Sequence, residues 1–188
     1  MDTVQSDVVE IMVIADRSGS MERLRDDAIG GFNTFLAEQK ALDGKANLTL
    51  VLFDDKYEVP VDRQDIQTVQ PLTRETFVPR GMTAMNDAIG KALATLETYN
   101  PKKAIICINT DGAENASREY TSQQVKEKIK AAEAKGYQVV FLAANIDAFA
   151  AGGGLGIQAK NTVAFAANAA GVQDAYRSMS LAASSYRM

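Results

Sequence analysis

The chain has 188 residues, of which 46% are hydrophobic and 23% are charged, and its net charge is -4. This size and composition predict one soluble domain with its own core, spanning residues 1–188. The Lys and Arg residues are scattered, which argues against nucleic-acid binding because phosphate contacts need clustered basic side chains. No apolar run approaches the length of a membrane span, so we expect no membrane partner.

Histidine is absent, and Cys107 is the only cysteine. Without histidine, the chain lacks the usual general base and the commonest zinc ligand, so any bound metal should be a hard cation held by oxygen. The apolar neighbours of Cys107 predict a buried and inert thiol. The first ten residues are polar and acidic and do not resemble a signal peptide. We therefore expect a reducing, cytoplasmic location.

Short apolar runs rich in β-branched residues recur along the chain, which is typical of strands buried on both faces of a parallel sheet. These runs are Val8–Ala15, Leu48–Phe53, Ala104–Asn109 and Val139–Ala144, with a weaker one at Thr162–Ala166. The segment Tyr57–Val61 contains Pro60 and predicts an antiparallel edge strand, because proline cannot donate to a central ladder.

Apolar residues at helical spacing fill the gaps between these runs and predict helices over Leu24–Gln39, Met85–Tyr99, Val125–Lys135 and Val172–Tyr186. The alternation predicts a doubly wound α/β fold. Its sheet should be mostly parallel with one antiparallel edge strand, and helices should cover both faces. The glycine-rich stretch Ala150–Gly156 is expected to be a flexible loop or helix break, with a phosphate-binding loop as the alternative.

Oxygen-bearing side chains follow the strands at the edge where such sheets bind ligands. Asp16, Ser18 and Ser20 come directly after the first run, and Asp111 follows the third. In an extended loop, alternate residues face the same way, so the first three would direct one carboxylate and two hydroxyls to one point. Such oxygens suit Mg²⁺. A helix beginning at Met21 would also direct its amides toward this loop.

Simpler explanations exist for these residues. Ser20 can cap the helix that follows it, Thr83 can cap the helix that begins at Met85, and Asp16 can be a turn carboxylate without a ligand. Asp87 lies in the first turn of a predicted helix, where the helix dipole favours a carboxylate anyway.

Three segments occur in an order that resembles the von Willebrand factor A family and its metal-ion-dependent adhesion site. They are Asp16-Arg17-Ser18-Gly19-Ser20, Gly81-Met82-Thr83 and Thr110-Asp111-Gly112, and the resemblance extends from Val8 to Ala167. It implies that Mg²⁺ or Mn²⁺, with Ca²⁺ less favoured, binds directly or through water to Asp16, Ser18, Ser20, Thr83 and Asp111. Asp54, Asp55 and Asp147 are expected to lie outside the ligand set.

The resemblance also implies that the domain binds another protein, whose Glu or Asp completes the metal coordination, and that it is not an enzyme. One alternative is an assembly subunit with a purely structural metal, of the tellurite-resistance, chelatase or phage type. A second is a phosphatase of the haloacid dehalogenase type, but that chemistry needs a second Asp where Ser18 stands.

Overall fold

The computed structural model describes residues 7–188. Residues 1–6, part of the segment predicted not to be a signal peptide, lie outside it. The strands are β1 Val9–Asp16, β2 Ala46–Phe53, β3 Tyr57–Asp65, β4 Lys103–Thr110, β5 Gln138–Ala143 and β6 Thr162–Ala164. The α-helices are α1 Arg25–Lys40, α2 Met85–Tyr99, α3 Ser122–Ala134, α4 Ala148–Gly154 and α5 Ala169–Arg187. Among residues 7–188, no helix is both long and apolar enough to cross a membrane.

The strands form one sheet in the order β3-β2-β1-β4-β5-β6. Every neighbouring pair is parallel except β2 with β3, which is antiparallel. This arrangement confirms the predicted doubly wound α/β fold and its antiparallel edge strand. The central strand β1 is buried along its whole length, as its continuous apolar sequence predicted.

Helices cover both faces of the sheet, and side chains alternate between two cores. On one face, Val13 and Leu50 pack with α1 and α5, around Phe32 and Tyr176. On the other face, residues such as Ile14 pack with α2 and α3. Cys107 lies in the first core, where burial raises the pKa of its thiol to about 12, as expected of an inert cysteine.

Both outer strands of the sheet are irregular. Strand β3 runs to Asp65, beyond the predicted end at Val61, and its pairing with β2 shifts register twice. It contains Pro60 and also Arg63, whose φ of 43° is left-handed. At the other edge, β6 has three residues and ends at Ala164, two residues before the predicted end.

Two predictions of local structure were wrong. The first helix does not begin at Met21, because Gly19–Leu24 forms a 3-10 helix and α1 begins at Arg25. The glycine-rich stretch is mostly helical, so the expected flexible loop is wrong, whereas the expected helix break agrees with the end of α4 at Gly154. Asp147 caps α4 by accepting a hydrogen bond from the amide of Ala150 at 3.0 Å, and the chain turns only at Gly156, where φ is 79°.

Neighbouring glycines in α1 offer a test of the packing between α1 and α5. A Cβ on Gly31 would lie 2.3 Å from Cδ2 of the buried Tyr176 ring, whereas a Cβ on Gly30 meets no atom within 4 Å. Gly31→Ala should therefore lower the free energy of unfolding by about 1–3 kcal/mol through overpacking. Gly30→Ala should raise it by about 0.5–1 kcal/mol, because alanine favours the helix. Urea denaturation measures both, and equal effects would contradict this packing.

Candidate metal centre

The fold brings the five predicted ligands to the carboxyl edge of the sheet. Asp16 is the last residue of β1, and Asp111 directly follows β4, its neighbour in the sheet. Ser18 and Ser20 lie in the segment after β1, and Thr83 lies just before α2. Residues that are far apart in the chain therefore meet at one edge, because β1 and β4 are neighbours in the sheet, as expected for this class of fold.

Three of these side chains already form a cluster of oxygen atoms. The hydroxyls of Ser18 and Ser20 are 3.1 Å apart, and the Ser20 hydroxyl donates to Oδ1 of Asp111 at 2.7 Å. Adjacent oxygens around an octahedral Mg²⁺ with bonds of 2.0–2.1 Å are about 3 Å apart. The spacing of these oxygens therefore fits one small hard cation.

Asp16 is held beside this cluster by hydrogen bonds to both of its oxygens. Its Oδ1 accepts from the Ser18 amide at 2.6 Å, and its Oδ2 accepts from the Thr110 hydroxyl at 2.7 Å. Burial raises the pKa of the Asp16 carboxyl, and the negative charge of Asp111 acts in the same direction, although the hydrogen bonds oppose it. Among residues 7–188, neither Asp16 nor Asp111 forms a salt bridge with a basic side chain.

One atom of the site has no partner. Within residues 7–188, the buried side-chain polar atoms without a hydrogen bond are Oδ2 of Asp111 and Nη2 of Arg17. A buried carboxylate oxygen without a donor is costly, so such an atom needs an explanation such as an ion. Because this oxygen belongs to the residue that accepts from Ser20, the donor set fits a cation.

The donor set contains few carboxylates. No cluster of three or more His, Cys, Asp or Glu side chains suited to a metal occurs in the described part of the chain. The candidate centre has two carboxylates and must draw its remaining oxygens from hydroxyl groups. That composition matches a hard cation and does not suit a thiolate or imidazole zinc site.

Thr83, the fifth predicted ligand, lies near the residue that follows Asp111. Its Oγ1 lies 3.9 Å from the position of a Cβ built on Gly112, which follows Asp111. Its amide and carbonyl are both bonded to Asn115, at 2.8 and 3.0 Å. The backbone also joins the two loops, since the Gly19 amide donates to the Gly81 carbonyl at 3.1 Å.

Neither capping role proposed for the hydroxyls is observed. The Ser20 side chain donates to Asp111, and the 3-10 helix has Ser18 at its N-cap without a side-chain hydrogen bond. The N-cap of α2 is Ala84, and the nearby amides of Asn86 and Asp87 are satisfied by the side chains of Glu114 and Ser117. The hydroxyls of Ser20 and Thr83 thus do not cap the N-termini of these helices.

An ion-pair cluster, here named the Asp54 cluster, ties together the two loops that carry predicted ligands, which we call the metal loops. It consists of the buried residues Arg17 and Asp54 and the exposed residues Glu58 and Arg80. The Asp54 carboxylate is fully buried and accepts from Nε of Arg17 at 3.2 Å and from Nε of Arg80 at 2.8 Å. Both arginines also contact Glu58, at 2.8 and 2.7 Å. Arg17 belongs to the Asp16–Ser20 segment and Arg80 to the Thr83 loop, so one carboxylate holds both.

The charge of this cluster balances, with two guanidinium groups and two carboxylates. Hydrogen bonds from Arg17 and Arg80 lower the pKa of Glu58 to about 2 from an ordinary value of 4.5. Because the folded pKa lies below the unfolded one, the stabilisation from Glu58 is complete above about pH 4.5 and is lost as the pH falls toward about 2. The pairs with Glu58 therefore persist at neutral pH.

Asp87 has a different role from a ligand. Its carboxylate accepts from three consecutive amides, those of Arg118, Glu119 and Tyr120, at 2.8–2.9 Å. These hydrogen bonds lower the pKa of Asp87 against the effect of its partial burial, which is the largest influence and raises it. Asp87 thus fixes the loop between β4 and α3 onto α2. This is the loop that begins with Asp111.

The sequence analysis missed several residues that build this site. Thr110 was noted only as a neighbour of Asp111, yet it holds Asp16, and Asp54 was assigned only to the acidic rim. Thr110 had a detectable signal, because a hydroxyl ending the strand next to β1 faces the same edge. Asp54 had none, because nothing in the sequence shows which arginines reach it.

No protein-family model matches this chain, and no curated protein matches it by sequence. Solved structures do match. Proximal thread matrix protein 1 of the mussel byssus has a TM-score of 0.68 and 13% identity, over 94% of this chain and 46% of its own. The von Willebrand factor domain of the pili tip protein Mfa5 from Porphyromonas gingivalis has a TM-score of 0.69 and 14% identity, over 96% of both chains.

Two of the matching structures hold metals. The manganese-loaded TRAP protein of Plasmodium vivax has a TM-score of 0.65 and 17% identity, over 92% of this chain and 73% of its own. A further structure of the mussel protein has zinc in its metal-ion-dependent adhesion site. This chain spans less than half of the mussel protein. At these identities, the likeness establishes a shared fold.

Removing the charge of Asp54 should weaken both the fold and the metal centre. Asp54→Asn leaves the buried Arg17 with only the exposed carboxylate of Glu58, and breaking a buried pair costs about 3–5 kcal/mol. The control is Asp26→Asn, which removes an exposed pair with Arg74 (3.5 Å) and should cost no more than about 1 kcal/mol. Chemical denaturation without metal measures both variants. Equal stabilities would show that the Asp54 cluster does not hold the loops.

Proposed function

We propose that this chain is a protein-binding domain that uses a divalent cation, held by Asp16, Ser18, Ser20, Thr83 and Asp111, to bind an acidic side chain of its partner. The proposal starts from the fold, because the chain has the von Willebrand factor A fold that its sequence predicted. The observation that carries the proposal is the buried, unpartnered Oδ2 of Asp111 beside two converging hydroxyls.

The charge of the donor set explains why a partner would contribute a carboxylate. Ser18, Ser20 and Thr83 are neutral, so Asp16 and Asp111 only balance a doubly charged ion. A bound cation would supply an electrophilic coordination position, and a carboxylate entering it gains more attraction in a partly dehydrated cleft than in bulk water. Mg²⁺ is our first choice and Mn²⁺ our second, and the manganese and zinc in structures of the same fold support a divalent ion.

Contacts of the protein itself hold the two metal loops together, and this favours a binding role for the ion over a purely structural one. The Asp54 cluster and the hydrogen bond between Gly19 and Gly81 already hold the loops together. An ion that is not needed to close the loops remains free to select a partner. The assembly-subunit alternative, with a structural metal, predicts the opposite: binding that persists after chelation.

The remaining parts of the proposal rest on composition. We propose that the domain is not an enzyme, because histidine is absent and Ser18 occupies the position where a phosphatase of this topology needs its second Asp. The acidic net charge supports a protein partner over a nucleic acid. A cytoplasmic location stays a prediction, and the likeness to a pili tip protein offers a surface location as its alternative.

The first test is metal binding by the isolated chain. Calorimetric titration with Mg²⁺ should show one site in the wild type and none in Asp111→Asn. The matched control is Asp147→Asn, which makes the same charge change at the same edge but keeps an N-cap for α4. Mg²⁺ at one hundred times its Kd should stabilise the wild type by about 2.7 kcal/mol, and EDTA should reverse this without unfolding the chain. Unchanged binding by Asp111→Asn would mean that the site is misassigned.

The second test concerns the partner. Wild-type protein, Thr83→Ala and Asp147→Asn serve as baits in the native host extract, with Mg²⁺ or with EDTA. We expect wild type and Asp147→Asn to retain the same protein in Mg²⁺ only, and Thr83→Ala to lose it. Acid-to-amide substitutions on that protein should then identify one Glu or Asp whose loss abolishes binding. A complex that survives EDTA would favour the assembly subunit.

A further inference from the structure

A groove of about 330 Å³ lies next to the candidate metal centre. It runs between the first turn of α2, the loop after β4, and α4, and we name it the α4 groove. Its apolar lining consists mainly of Met85, Ile146, Ala150, Ala151 and Leu155, and Gly154 lies on its wall. Its volume is at the small end of the range for binding pockets, so it has room for one or two side chains.

The α4 groove is continuous with the metal centre through three chain segments. Met85 follows Thr83 by two residues, and Ala113, which also lines the groove, follows Asp111 by two. The third segment contains Asn145, whose side chain donates to the Asp111 carbonyl at 3.0 Å, and the next residue lines the groove. Each of these lining residues is one or two positions from a residue of the candidate centre or from its hydrogen-bond partner, so the groove borders that centre.

The polar groups that line the α4 groove are already bonded to the protein. The Glu114 carboxylate accepts from the amides of Asn86, Ala116 and Ser117 and from the Ser117 hydroxyl, at 2.6–3.0 Å. The Asn86 side chain donates to the Ser122 hydroxyl at 3.2 Å. Since the hydrogen bonds of these groups are satisfied within the protein, the groove offers a ligand mainly apolar surface. The charge of Glu114 also disfavours the binding of an acidic side chain in the groove.

We propose that the α4 groove receives an apolar side chain of the partner protein, close in sequence to the acidic residue that reaches the metal. The inference rests on the proposed function and extends it from one acidic residue to an acidic residue with an apolar neighbour. The exposed side chains of Met82 and Phe149 are 52% and 54% accessible at this same edge and add apolar area around the site. Removing the occupant and the groove from water together supplies the affinity.

Short peptides test the inference without a known partner. The baseline probe is acetyl-Gly-Gly-Gly-Glu-Gly-Gly-Gly-amide, and the test probes carry one Leu at each of the three positions before or after Glu. Binding is followed by NMR in Mg²⁺ and in EDTA. The baseline probe should bind weakly and only with Mg²⁺. At least one Leu register should bind about tenfold tighter or more, since burying a Leu contributes about 1.5–3 kcal/mol.

Adjacent glycines of α4 provide a matched pair of variants. A Cβ on either Gly153 or Gly154 meets no atom within 4 Å, and neither residue has a positive φ, so leucine at either position should fold. Only Gly154 lines the groove. Gly154→Leu should abolish the gain from the peptide's Leu and keep the baseline affinity, and Gly153→Leu should keep both.

The outcomes separate the two proposals. If no probe binds in a metal-dependent way, the proposed function fails and this inference fails with it. If the Glu probe binds but no Leu register improves it, or Gly154→Leu leaves the gain intact, the metal role stands and the groove proposal is overturned. If the wild type sediments as an oligomer and Gly154→Leu sediments as a monomer, the occupant is a second copy of the chain, which also overturns the groove proposal.

Discussion

The buried carboxylate of Asp54 is the constraint on which the rest of the candidate site depends. It lies at the end of β2 and binds one arginine from each of the two loops that carry the predicted ligands. Arg17 stands between Asp16 and Ser18 in the chain, so an unpaired guanidinium there would repel a cation. Because Asp54 and Glu58 neutralise both arginines, the positive charge that braces the loops does not oppose metal binding. The backbone also joins Asp54 to the Thr83 loop, since the Asp54 carbonyl accepts from the amide of Ala84 at 2.8 Å.

This arrangement would separate the stability of the domain from the binding of the proposed ion. In small metal-dependent domains, the ion often organises the chain around itself, and the apo form is unfolded. Here the chain is organised by a hydrophobic core on each face of the sheet and by an ion-pair cluster of zero net charge. The effect of the ion would be local. It would reduce the repulsion between two neighbouring carboxylates and give a partner to the one oxygen that has none. A site of this kind can exchange its ion or its ligand without a folding transition.

The fold and the placement of the predicted ligands at one edge of the sheet were largely readable from the sequence, for two physical reasons. Continuous β-branched runs are typical of strands buried on both faces, and the strand ends of a parallel sheet share one edge. The ion-pair partners of Asp54 were not readable, because they lie 37 and 26 residues away and many other arginines were available. Local conformation was also misjudged where capping competes with composition: Asp147 begins a helix in a stretch whose glycines suggested a loop. Thr83 failed as a cap because Glu114, distant in sequence, satisfies the helix amide instead.

The irregular outer strands restrict how the molecule can associate. A straight, unpaired edge strand is a template on which another chain can extend the sheet. Strand β3 contains a proline and a left-handed residue and shifts register twice, and β6 provides only three residues for pairing. Neither edge offers a regular row of amides and carbonyls to an incoming strand. Sheet extension into fibrils is therefore disfavoured at both ends, and recognition is left to side chains on the loops, where chemistry can distinguish one partner from another.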